Sequence, residues 1–141
     1  IASSTDELFL GYEVRETWIL ARMKNPNDAV WRDSCVECFF SPRDGYYFNM
    51  EFNCMGVPLV GGGTGRHDNQ LLSLHEVEAI RTRSSIIDAP EEERQAPPVW
   101  TLFVRIPWHI LGMPSGPAVN ASYAANFYKC GDALSTLHYF S

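Results

Sequence analysis

Residues 46–53, YYFNMEFN, alternate strictly: Tyr46, Phe48, Met50 and Phe52 on one side, Tyr47, Asn49, Glu51 and Asn53 on the other. A period of two is that of a β-strand with one apolar and one polar face. The stretch before it, SCVECFFSP at 34–42, opposes Val36, Cys38 and Phe40 to Cys35, Glu37 and Phe39. Asp44-Gly45 between the two is hairpin chemistry. VWTLFVRIP at 99–107 is another alternating strand, and more are expected over 7–16, around 17–23, over 121–131 and from TLHYFS at the end. NPND at 25–28 reads as a turn, 56–69 as a glycine-rich loop, and 89–98 as a polar, proline-rich loop. At 73–84 the period changes. Leu74, Val77 and Ile80 follow a Ser73/Glu76 capping box, which predicts one short helix over about 73–84. Pro107 opens a helical turn, PWHILG. Many short strands with one helix predict an all-β fold, a β-sandwich or jelly roll of antiparallel strands.

The 141 residues suffice for one domain with a real core, and 45% of them are hydrophobic. A net charge of −6 argues against nucleic acid, which would call for a basic stripe. No run approaches the roughly 18 apolar residues of a membrane helix. The chain begins at Ile1 rather than Met and closes on a strand-like LHYFS. Truncation at both ends is expected, so a missing signal peptide says little. Cys35 and Cys38 form C-x-x-C, but on a strand they point to opposite faces and no second half-site follows. Small buried thiols are expected rather than zinc ligands, with a disulfide left open. Trp18, Trp100 and Trp108 read as core.

The polar side of 46–53 is unusual, with an aromatic, two amides and a carboxylate in a row. Its hairpin partner adds Glu37, and Trp31 lies six residues before that. A pyranose has an apolar face that stacks on an indole and hydroxyls that match carboxylates and amides. A sugar groove is therefore expected from Trp31, Glu37, Asn49, Glu51 and Asn53. Arg66 is expected to reach in from the glycine-rich loop, and Asn126 and Tyr128 share a strand face that would line the same groove. Against this, Trp31 would suit a core edge, and Glu37 and Glu51 would suit ion pairs with Arg15, Arg66 or Lys129.

VWRDSCVECFFSP, YYFNMEFNCMGV, the GGGTGR loop and ANFYKCGDALSTLHYFS resemble the carbohydrate-binding module family 9-like domains, from about residue 7 to the end. The resemblance implies a β-sandwich of secreted, periplasmic or cell-surface proteins, with a carbohydrate ligand and glycan-degrading enzymes fused to it or acting beside it. It implies a sugar, typically at a glycan's reducing end, held between two aromatic rings. Trp31 resembles the first ring and Glu37 the first-strand carboxylate. Asn49, Glu51 and Asn53 fall on the polar strand, where the family's Arg has no counterpart. The second ring is expected past Ser141, with Tyr128 or Tyr139 as stand-ins. The family often holds a structural Ca2+, for which no Asp-rich loop is present. Three other readings stay open. Glu37 and Glu51 would serve as an acid/base pair for glycoside hydrolysis. Met and His would hold haem in a DOMON-like electron-transfer module, although Met50 reads as core. A plain interaction domain is the third.

Overall fold

The computed structural model describes residues 1–136. In chain order the strands are β1 (Ala2–Ser3), β2 (Glu7–Val14), β3 (Trp18–Ile19), β4 (Cys35–Arg43), β5 (Tyr46–Asn53), β6 (Pro58–Gly63) and β7 (Gln70–Leu71). Helix α1 (Leu74–Val77) follows, then β8 (Arg81–Ser84), β9 (Arg94–Gln95), β10 (Trp100–Pro107) and β11 (Ala124–Cys130). One sheet has the order β1-β2-β10-β8, the other β11-β4-β5-β6-β7, and β3 pairs with β9 apart from both. Every pairing is antiparallel. The fold is an all-β sandwich.

The alternation sets which face goes inward. Val36, Cys38 and Phe40 of β4 and Phe48, Met50 and Phe52 of β5 join Leu8, Leu10, Leu102, Val104 and Ile106 of the opposite sheet in one apolar core. Each such side chain, fully buried, contributes roughly 1.5–3 kcal/mol of transfer free energy. Because the period is two, the same register turns Glu37, Asn49 and Glu51 to the outer face. Gly45 supplies the positive φ, 72°, of the β4–β5 turn. Pro42 sits in a register shift between Phe40 and Arg43, where a residue without an N–H is tolerated.

Four sequence expectations change. The helix is real but shorter. Ser73 and Glu76 cap it reciprocally, it ends at Val77, and Arg81–Ser84 leaves as a strand paired with β10. Leu74, the first position of the helical stripe, is 57% exposed, while Val77 and Ile80 are buried. Thr82 and Ser84 donate their hydroxyls to the carbonyls of Gly56 and Cys54, which ties this segment to the end of β5. Within the expected glycine-rich loop, Pro58–Gly63 is instead a strand, β6. A Cβ on Gly61 would lie 2.0 Å from Asn69 Oδ1, and one on Gly63 2.9 Å from the Asn69 Cα, so the glycines admit a turn folded back over the strand. The segment around 17–23 contributes only the two residues of β3, and Trp18 on it is 40% exposed rather than core. Residues 137–141 of the expected last strand lie outside the described residues. No helix among the described residues is long and apolar enough to cross a membrane.

Candidate functional site

The outer face of the five-stranded sheet is built in rungs. Across one rung run Tyr128, Glu37, Glu51 and Leu59, and across the next Asn126, Phe39, Asn49 and Gly61. A third holds Cys130, Cys35 and Asn53. The first two rungs floor a groove of about 880 Å³. Trp31 stands at one end, on the single turn of 3-10 helix Val30–Arg32, with its indole 40% exposed. The segment after β11 docks on that turn through Asp132 N–H to Trp31 O, 3.2 Å, and Ala133 N–H to Arg32 O, 2.9 Å, and so brings Asp132 to the rim. The β6–β7 turn supplies Arg66 and Asn69 on the other side. Asp68 holds this turn by accepting from the Thr64 N–H and hydroxyl and the Gly65 N–H.

Seven of the expected residues meet in this groove: Trp31, Glu37, Asn49, Glu51, Arg66, Asn126 and Tyr128. Asn53 does not, which corrects the expectation. It shares their strand face but is 0% exposed, under the chain that precedes the 3-10 turn. Its amide donates to Met23 O and Asp33 Oδ2, both at 3.0 Å, and its oxygen accepts from the Met55 and Val57 N–H groups at 3.1 and 2.9 Å. Asp33 in turn accepts from the Arg22 and Met23 N–H groups at 3.0 and 2.9 Å. Asp33 and Asn53 therefore lock the end of β5 to residues 22–23 and are closed to a ligand.

Tyr47, on the polar side of 46–53, lines the groove as well, and Phe39, Asn69 and Asp132 also line it and were missed. Phe39 and Tyr47 were legible from alternation alone. Asn69 and Asp132 belong to turns, whose reach no periodicity encodes. Phe39 packs against Tyr47 and Tyr128, with ring centroids 5.9 and 5.4 Å apart, so the floor carries an aromatic strip beside its polar one.

Glu37 and Glu51 are direct cross-strand neighbours, a geometry that places Cβ atoms about 4.5–5.5 Å apart. Glu51 is only 7% exposed. Its Oε1 accepts from Asn49 Nδ2 at 2.7 Å, while Glu51 Oε2 and Asn49 Oδ1 have no partner. Burial first, and the Glu37 charge second, push the Glu51 carboxyl up to about 7, against the Asn49 hydrogen bond that favours the charged form. No ion pair among the described residues involves Glu37 or Glu51: Arg15 pairs with Glu13, and Lys129 pairs with Glu16 at 3.0 Å.

Cys35 and Cys38 do point to opposite faces. Cys38 lies in the main core, and Cys35 joins Val30 and Cys130 in a small apolar cluster under the closed end of the groove. All four cysteines are buried free thiols. Burial raises the Cys35 thiol well above its ordinary value, so it is no thiolate ligand. Among the described residues no group of three or more His, Cys, Asp or Glu is placed to hold a metal. Tyr139, one of the two stand-ins for a second ring, lies outside the described residues. Tyr128 is in the groove.

The chain is similar to a solved structure, that of a proposed carbohydrate-binding protein from Bacteroides uniformis, with 35% identity and a TM-score of 0.85. The match covers 96% of this chain but 63% of that one, so the chain spans less than two thirds of that protein. No match was found among curated proteins. The profile of carbohydrate-binding family 9 matches residues 1–141, and the chain belongs to that family.

Proposed function

We propose that this domain binds the end of an oligosaccharide or polysaccharide without cleaving it, in the groove floored by β4, β5 and β11. A sugar ring stacks on Trp31. Its hydroxyls donate to Glu37, Glu51 and Asn49, and Arg66, Asn126 and Tyr128 meet it from the walls. The observation that carries the reading is the pair of acceptors, Glu51 Oε2 and Asn49 Oδ1, buried without partners in a groove that the exposed Trp31 also lines. Buried polar atoms are ordinarily hydrogen-bonded, and a sugar hydroxyl supplies the missing donor. The family and the Bacteroides uniformis neighbour support the same ligand class. A place outside the cytoplasm, attached to or beside glycan-degrading enzymes, goes with this reading.

The alternative, that Glu37 and Glu51 hydrolyse a glycoside, draws on the raised Glu51 carboxyl. Geometry disfavours it. Both carboxylates rise side by side from one sheet face, whereas hydrolysis needs carboxyl groups flanking the scissile bond.

Calorimetric titration with xylo-, cello- and manno-oligosaccharides, followed in parallel by tryptophan fluorescence, tests the reading. Binding is expected at micromolar to millimolar Kd, roughly −8 to −4 kcal/mol, without release of reducing sugar. Trp31→Ala is expected to weaken it by about 1–3 kcal/mol, by analogy with other aromatic stacking. Hydrolysis by the purified domain, or unchanged affinity in Trp31→Ala, overturns it.

A further inference from the structure

The groove's charges are unevenly placed. Three carboxylates, Glu37, Glu51 and Asp132, line it. Glu51 is almost fully buried, and its neighbours on the floor offer it no cation. The Lys129 ammonium is turned to the other side of β11, where it pairs with Glu16 and donates to Cys130 O at 2.7 Å. Arg66 lines the groove too, but from an exposed turn at its rim, where solvent and salt screen its charge. A buried charge is screened far less, so the field at the floor is set by the carboxylates. The open hydrogen-bonding capacity has the same sign. One amide N–H of Asn49 is already given to Glu51, and the two buried atoms there without a partner, Asn49 Oδ1 and the Oε2 of the ionised Glu51, are acceptors.

We propose that the groove selects its sugar by charge. It takes sugars that present hydroxyl or ammonium donors to Asn49 and Glu51, and it excludes uronic acids and other anionic sugars. Glu51 is the residue that sets this selectivity, with Glu37 reinforcing it from the neighbouring strand. The inference rests on the carbohydrate-binding reading and narrows its ligand class. Neutral and amino sugars share the required chemistry, a donor at the position facing Asn49 and Glu51. A carboxylate brings acceptors and a like charge to acceptors that already lack partners, and it must shed its water to do so.

The test is a titration at pH 7.5 against matched disaccharides in the gluco, galacto and manno series, each in neutral, 2-amino and uronic form. In every series that binds, the neutral and amino forms are expected to bind at least tenfold more tightly than the uronic form. The gap is expected to narrow only in part as salt rises from about 50 to 500 mM, because buried charge is screened less than exposed charge. Glu51→Gln should cut the gap to threefold or less, and Glu37→Gln should cut it in part. A thermal melt of each variant separates loss of fold from loss of selectivity. A uronic form that binds as tightly as its neutral partner overturns the proposal and leaves the carbohydrate reading standing. So does a gap that survives unchanged in both variants. No binding to any of the nine sugars overturns both.

Discussion

Strand β5 carries two buried polar clusters on one face, and they differ in a way that separates structure from function. At its end, Asn53 and Asp33 are fully enclosed, and their side-chain hydrogen-bonding atoms meet partners, mostly backbone N–H and carbonyl groups of residues 22–23 and 55–57. Two residues earlier, Glu51 and Asn49 satisfy one another once and leave an acceptor each. The first cluster is closed and holds the chain together. The second is incomplete as it stands, and it faces the groove. Polar residues of similar type at alternate positions of one strand thus serve opposite ends, and the count of satisfied atoms tells them apart.

The largest effect that would break this comparison lies in the closed cluster. Asp33→Ala strands two backbone N–H groups and takes one of its two acceptors from the Asn53 amide, and should cost about 3–5 kcal/mol of unfolding free energy in a urea titration. A variant as stable as wild type would show that the cluster is not what joins the end of β5 to residues 22–23.

The open cluster should respond to pH with a definite sign. A Glu51 carboxyl raised from 4.5 to about 7 favours the folded state when protonated. Its stabilisation is complete below pH 4.5 and is lost as pH rises through 7. The groups facing it are Glu37 and Cys35 from β4, Tyr128 and Cys130 from β11, Asp132 from the segment after it, and Arg66 from the β6–β7 turn. The Glu51 contribution to unfolding free energy is expected to fall by on the order of 1–3 kcal/mol between pH 4.5 and 8. In Glu51→Gln that component disappears, and the variant should be at least as stable as wild type at pH 8. Equal pH slopes in the two proteins would place the burden of the open cluster elsewhere.

A smaller effect sharpens the picture. Glu37→Gln removes the neighbouring charge and leaves the burial of Glu51 intact. It should relieve only about 1 kcal/mol of that pH-dependent loss. NMR titration of the Glu51 side chain would read it as a partial drop in pKa. A full return to 4.5 would mean that repulsion, not burial, dominates.

Much of this was legible in the sequence. Alternation in 34–42 and 46–53 places the core face correctly and puts Glu37, Asn49 and Glu51 on the opposite one, because side-chain direction in a strand is fixed by parity. Parity also misleads. Asn53 has the same phase as Glu51, and only the chain crossing over it, held by Asp33, turns it from a ligand contact into a structural one. The helix at 73–84 was overextended because Leu74, Val77 and Ile80 fit a helical stripe, while the pairing of Arg81–Ser84 with β10 is a long-range event. Asn69 and Asp132 stayed hidden because turns carry no period.

The glycines of β6 have a consequence for how such a groove can vary. Its floor is a regular sheet, each position fixed by cross-strand register. Its wall beyond β6 is a turn lying directly on backbone, since Gly61 and Gly63 leave no side chain between the strand and Asn69. The two parts are therefore adjustable separately. Lengthening or recomposing residues 64–69 reshapes the rim while the rungs below keep their spacing, and a side chain at Gly61, the rung position nearest the wall, would meet Asn69 and lift the wall. Floor chemistry and rim shape are independent variables in this domain.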